Sequence, residues 1–358
     1  MKLFTAGPTE IEEEILKLGA VPQVYMRTSE FSERLKRIYK NLQYIFQTSN
    51  PVLMFASSGT GALDAAVSNF IAENDEVLVI NGGSFGRRWI ELCESVKAKI
   101  TEVKVDFGKS VNPEKIAEFL NKNPACKAVF ATLDETSSGA LTDVESIGKI
   151  VKNNPTTLFI VDAVSGLLVE PFKMDEWGVD VAVTASQKAL AIPPGLSFMA
   201  VGEKAVAKAE TVSTRPYYFD VLKYLTDWKR GQTPFTPAVG LIFQLERRLE
   251  KICAEGLEHY QSRYRSLTEK LRTGMKENGF DLIAEHPANC ISGYWTGTVD
   301  AEKLVSLMAD KYGISLAPSG GELKTKMFRI GNFGDVTSAD IDDLLKKMKA
   351  AVKEVEND

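Results

Sequence analysis

A lysine and an aspartate in apolar company, 26 residues apart, are the most chemically pointed side chains of this 358-residue sequence. Lys188 stands in TASQKALAIPPG, residues 184 to 195, where a strand-like run meets two prolines and a glycine. Asp162 interrupts the apolar run LFIVDAVS, residues 158 to 165. An uncharged lysine amine is a nucleophile toward carbonyl carbon and a base. A carboxylate set into an apolar strand needs a donor or a positive partner, or else it takes up a proton. Taken alone, Lys188 also reads as a lysine that ends a strand with its ammonium in water. An acid and a lysine on the ends of two successive strands can instead face one small ligand from opposite sides.

Other residues fall at similar places. Ser58, Gly59 and Thr60 in SSGTGALDAA open a helix, where free N–H groups and the helix dipole favour an anion such as a phosphate. The stretch lacks the Gly-Lys-Ser/Thr of a P-loop and the third glycine of a dinucleotide fingerprint, and an ordinary cap by Ser58 or Thr60 explains it as well. Phe85 follows two glycines in NGGSFGRRW and offers a flat face to a planar ring, or a side chain to the core. LDETSSG, residues 133 to 139, is a polar cluster that a turn with a helix cap would also account for.

The elements that must position these residues alternate along the chain. Strands are expected at 52–58, 76–82, 99–105, 127–133, 158–165, 179–186 and 196–202, with helical spacing between several of them, as in GALDAAVSNFIAEN and SIGKIVKNN. Continuous apolar strands separated by helices predict an α/β fold with a mainly parallel seven-stranded sheet covered on both faces. In such sheets ligands gather at the carboxyl ends of the strands. The pattern breaks over 203–240, a long helical tract is expected from about Leu241 to Glu277, and the remainder reads strand, helix, strand, strand, helix. The expected organisation is an N-terminal segment (1–15) packing with the small domain or a partner subunit, a large domain (16–254) and a smaller α+β C-terminal domain (255–358).

Composition narrows the classes of function. A hydrophobic fraction of 44% with 25% charged residues suits a globular chain with a sizeable core. A net charge of -5 gives no electrostatic footprint for nucleic acid or an anionic membrane. Cys93, Cys126, Cys253 and Cys290 show no C-x-x-C spacing, so neither a metal site nor a disulfide framework is expected. With no secretory or membrane-spanning pattern, a cytoplasmic protein is expected.

One ligand calls for an aspartate, a lysine, a stacking aromatic and a phosphate-binding helix together: pyridoxal 5'-phosphate. The sequence resembles the class V, fold-type I pyridoxal-phosphate aminotransferases, in particular the alanine–glyoxylate and serine–pyruvate group. AGPTEIEEEI, SSGTGALDAAVSNF, NGGSFGRRW, ETSSGALTDV, VDAVSGL and SQKALAIPPGLSF carry the likeness, in order, over nearly the whole chain. The resemblance implies that Lys188 forms the Schiff base with the cofactor and shuttles the proton, Gln187 binds the phosphate, and Asp162 pairs with the pyridine nitrogen. It implies that Val164 and Phe85 cover the two faces of the ring, that Ser58, Gly59 and Thr60 form the phosphate cup, and that Thr136 approaches the phenolic oxygen. Arg329 in KMFRIGN would hold the substrate α-carboxylate, with Arg27 near the substrate. Thr236 and Thr233 would reach a neighbour's phosphate across a two-fold dimer with shared sites.

The implied reaction moves an amino group from alanine or serine to glyoxylate or pyruvate. Met26 stands in VYMRTSEF where many relatives have histidine, which leaves the pocket wall around Arg27 open. Transamination of 2-aminoethylphosphonate or phosphoserine, and a non-enzymatic α/β module with a decayed cofactor site, remain alternatives. Desulfuration is disfavoured, since Gln187 precedes the lysine and no cysteine lies in a suitable loop.

Overall fold

A computed structural model describes residues 1–357. Its larger sheet has seven strands in the spatial order Val52–Phe55, Ser197–Val201, Val181–Ala185, Leu158–Asp162, Ala128–Thr132, Glu76–Asn81, Lys99–Lys104. All seven fall inside the segments expected from the apolar runs. Only Ser197–Val201 runs against its neighbours, so the other six strands end at one common edge. Five strands are buried at every position, the reason they read as unbroken apolar runs rather than as an alternation. Lys99–Lys104 closes one side with Lys99, Glu102 and Lys104 exposed, which discourages pairing with another edge.

Successive residues along a strand feed opposite faces. Val129 and Ala131 join one buried cluster, while Ala128 and Phe130 join a second that lies against the helices Gly59–Phe70 and Ser84–Ser95. Burying a side chain such as Phe130 stabilises the fold by about 2 kcal/mol. Helix starts are set by local chemistry: Thr28, Asn112 and Asp143 accept N–H bonds at the first turns of Ser29–Phe46, Pro113–Lys122 and Val144–Val151.

The helical tract expected from Leu241 to Glu277 is two helices, Val239–Glu255 and Leu257–Glu277. Gly256 adopts φ +84° between them, a conformation that ends the first helix at little cost only for glycine. The apolar periodicity continues through the break, so the sequence pattern hides it.

A second, five-stranded sheet has the order Lys2–Phe4, Ile314–Pro318, Met327–Gly331, Ile291–Trp295, Asp281–Leu282. Its two outermost strands are three and two residues long, too short to show a period. Lys2–Phe4 pairs in parallel with Ile314–Pro318, carrying residues 5 to 9 back toward the large sheet. The cluster on one face of the large sheet continues without a gap through Phe4, Ile291, Tyr294, Phe328 and Ile330 of the second sheet.

Candidate active site at the strand ends

The register fixes which residues meet at the edge. Thr132 lies opposite Asp162, Asp162 opposite Val183, and Ser197 lies between Ala185 and Phe55. The segments beyond these strand ends therefore converge: Ser57–Thr60, Asp134–Ser138, Val164–Ser165 and Ser186–Lys188. The Ser57 hydroxyl ties the first of them to the start of Ser197–Val201, 2.7 Å from the Ser197 hydroxyl.

Lys188 is only 9% exposed, and its ammonium donates to the carbonyl of Ala6. Gly7 lets the N-terminal segment come this close: its φ is +102°, and a Cβ there would sit 2.8 Å from Cδ of Lys188. Burial pulls the Lys188 pKa down, against the opposing pull of Asp134 and Asp162. Asp162 is buried, and its Oδ1 accepts the Val164 N–H at 2.8 Å. Burial pushes its carboxyl up to about 6, although that N–H and Lys188 favour the charged form. Burial thus leaves a lysine with a lowered pKa and an acid with a raised one within each other's field, the kind of perturbed pair that marks functional sites.

Ser58 occupies the cap position of the helix Gly59–Phe70, but its side chain makes no cap bond; the Gly61 N–H turns back to the Ser58 carbonyl, which leaves those of Gly59 and Thr60 for a ligand. Of the two readings, the ordinary Ser58 cap is not what forms. Gly59 is pressed against Val164 and Ala185, where a Cβ would lie 3.1 Å and 3.3 Å from their side chains. Thr60 is exposed beside it, and Gln187 lies 3.5 Å from the Ser186 hydroxyl.

Phe85 opens the helix Ser84–Ser95, partly exposed at the site, with the Arg88 guanidinium 4.7 Å from its ring centre. Its N–H and that of Gly86 donate to the Glu135 carboxylate at 3.1 Å and 3.0 Å. The Thr136 hydroxyl lies 3.0 Å from that of Ser165. The Thr136 carbonyl accepts Nη1 of Arg329 at 3.2 Å, and Nη2 donates to Pro318 at 2.6 Å. Nε of Arg329 is buried with no partner. Lys188, Asp162, Val164, Thr136, Arg329, Gly59 and Phe85 thus surround one region.

Arg27 meets Thr233, and Thr233 and Thr236 line a narrow cleft with Met54, Ala56 and Leu196. Arg27 donates to the Gln232 side chain at 2.8 Å and to the Thr233 carbonyl at 2.7 Å, on an open cleft of about 480 Å³ that also holds Asp227 and Arg230. The Thr233 hydroxyl donates to Phe235, and Thr236 is exposed. Asp134 and Glu135 are the site residues that sequence reasoning passed over. Two adjacent acids in LDETSSG read as turn chemistry, and only the fold shows both buried.

The group fits a phosphorylated pyridine aldehyde. The helix start without a side-chain cap suits a phosphate, the buried acid suits a ring nitrogen that carries a proton, and the buried amine suits an aldehyde. The unpartnered Arg329 Nε and Thr132 Oγ1 leave polar atoms for a bound ligand. Among the described residues no cluster of three or more His, Cys, Asp or Glu side chains is arranged to hold a metal ion, and no helix is long and apolar enough to cross a membrane.

The family model described as aminotransferase class V matches residues 9–344. A protein of a Synechococcus strain named soluble hydrogenase, small subunit, is 37% identical over 99% of this chain and 93% of its own length. L-aspartate–glyoxylate aminotransferase of Paracoccus denitrificans is 33% identical over 94% of this chain and 87% of its own. Serine–glyoxylate aminotransferase of Methylorubrum extorquens is 31% identical over 93% and 86%. The solved structure of alanine–glyoxylate aminotransferase from Nostoc superposes with a TM-score of 0.93 at 25% identity, over 98% of this chain and 94% of that one. The sheet order, the buried lysine–aspartate pair and these matches agree: the chain belongs to the class V aminotransferases, pyridoxal-phosphate enzymes of fold type I.

Proposed function

We propose that this transaminase moves the amino group of a small amino acid, alanine or serine, to glyoxylate or pyruvate. The observation that carries the reading is the desolvated Lys188 beside the buried Asp162, with Arg329 anchored to the neighbouring Thr136 carbonyl. Relatives named for serine and alanine as donors and glyoxylate as acceptor support it; one named for L-aspartate makes that donor the comparison to run.

When bound, pyridoxal phosphate accepts the electron pair left when the substrate's α-proton departs. The protein supplies the rest. The N–H groups after Ser58, with Thr60 and Gln187, would hold the phosphate; Val164 and Phe85 would confine the ring, Asp162 would keep a proton on its nitrogen, and Thr136 would orient its oxygen. As a free amine, Lys188 would take the α-proton and hold it at Nζ, and the lowered pKa from burial keeps that nitrogen available as a base. Arg329 holds the α-carboxylate by two N–H bonds.

We assign Arg27, Thr233 and Thr236 to a site shared across a two-fold dimer. Tyr25 and Tyr217 are 68% and 78% exposed and Val24 49%, an apolar dressing of this face that a second copy would cover. The free cysteines suit the reducing cytoplasm. The division into residues 1–15, 16–254 and 255–358 is part of the same reading.

The test is a spectrum followed by a donor panel. The purified protein is expected to be yellow, to lose that absorbance on borohydride reduction, and to turn over alanine or serine with glyoxylate or pyruvate. Aspartate, phosphoserine and 2-aminoethylphosphonate are the competing donors, and preference for any of them would replace the donor assignment. A colourless protein that added cofactor does not tint would end the reading altogether.

A further inference from the structure

Asp134 has no part in the roles above, yet it is a deeply buried acid at the strand edge, 1% exposed just beyond the strand Ala128–Thr132. Its Oδ2 lies 3.4 Å from the Thr136 hydroxyl, a long contact. No N–H or O–H reaches Oδ1, which faces Gly166 so closely that a Cβ there would lie 3.2 Å away. Only the weak thiol of Cys290, entering from the second sheet, stands beside the carboxyl.

Asp134, Asp162 and Glu170 share this interior with the Cys290 thiol, the Lys188 ammonium and, beside Glu170 and Cys290, the Arg272 guanidinium, while Arg329 acts on Lys188. Glu170 is met by the backbone and side-chain N–H groups of Asn289, and Asp162 by the N–H of Val164. Asp134 has no comparable N–H donor. Glu170 has Asn289 and the Arg272 guanidinium, and Asp162 has a short N–H bond, so the acid left with neither an N–H donor nor a guanidinium is the one that keeps its proton.

We propose that Asp134 works as a neutral carboxylic acid, a positioning residue whose O–H directs the Thr136–Ser165 hydroxyl pair and withholds a second negative charge from Lys188. Its proton is donated to Oγ1 of Thr136, which frees the Thr136 hydrogen to point away from Asp134, toward Ser165 or the ring oxygen. Burial and the fields of Asp162 and Glu170 raise its pKa well above the usual carboxylate range, in the same direction as the geometry. The inference deepens the role given to Thr136 and rests on it, so its first test reads the cofactor-free protein, where failure of Asp134 and failure of the transaminase reading separate.

In that protein, the infrared difference between wild type and Asp134→Asn at neutral pH should show the carbonyl stretch of a protonated carboxyl that only the wild type has. Loss of a carboxylate band instead would mean that Asp134 is ionised, and would overturn the proposal. If Asp134→Asn fails to fold, the wild type labelled with ¹³C at aspartate carboxyls answers the same question. At pH 7, above the value of about 6 that burial gives Asp162, an aspartate carboxyl should still be protonated, and its absence would be equally decisive. The positioning role has its own readout in the loaded enzyme. Asp134→Asn, whose amide can donate to Thr136, should keep the visible absorbance maximum, and Asp134→Ala should shift it. A maximum that moves equally in both variants, or in neither, would remove Thr136 as the target.

Discussion

At Lys188 and Asp162 burial is the agent that turns ordinary side chains into chemistry. The Asp162 carboxyl rises from its usual range to about 6 because water is excluded, which means that the folded protein holds its proton more tightly than the unfolded chain does. The linked stability is fully present below the unfolded value and is lost as pH rises through about 6; for a shift of this size the loss is about 3 kcal/mol at most. Cofactor-free wild type should therefore melt lower at pH 8 than at pH 5, and Asp162→Asn should flatten that slope. Parallel melting curves of the two proteins against pH would contradict it. In the loaded enzyme Lys188→Ala should abolish both the absorbance near the visible edge and nearly all turnover. Arg329→Ala removes charge-assisted bonds of about 2–3 kcal/mol, so the KM of every carboxylate substrate should rise by about 30–150-fold. Unchanged saturation would place the carboxylate elsewhere.

Elements position these residues through their ends. Glu135 accepts the N–H groups of Phe85 and Gly86 and so anchors the start of Ser84–Ser95. Glu135→Ala should cost about 1–2 kcal/mol, as loss of a helix cap does, and should weaken cofactor binding because Phe85 loses its fixed origin. Calorimetry and cofactor titration would check the two effects separately. Gly256 is a contrasting case. Nothing lies within 4 Å of a Cβ placed there, so Gly256→Ala meets only the cost of φ +84° in a residue with a side chain. A drop of about 1 kcal/mol is expected with kcat and KM unchanged.

For the whole molecule, Arg27 meets Thr233, and Thr233 and Thr236 line a narrow cleft with Ala56 and Leu196, on a side that also exposes Tyr217. If the site is shared, subunits that are individually inactive should complement. Mixing Lys188→Ala protein with a Thr236→Glu variant, then allowing subunits to exchange, should restore activity, since each hybrid dimer regains one intact site. A mixture that stays as inactive as its parents, with hybrids demonstrated by mass, would confine the site to one chain.

The seven strands of the large sheet were legible because strands buried on both faces are unbroken apolar runs, and Lys188 and Asp162 stood out because charge is costly in such runs. The motif order around them carried the family. The breaks and rims were not legible: Gly256 interrupts a continuous helical period, and Lys2–Phe4 is too short to have one. Nor could spacing show that the N-terminal segment folds back to set the Ala6 carbonyl on Lys188, a contact across 182 residues. Asp134 marks the boundary most clearly. An acid in a polar turn and an acid sealed from water have the same letters, and only tertiary packing decides whether a donor is near enough for the charge to survive.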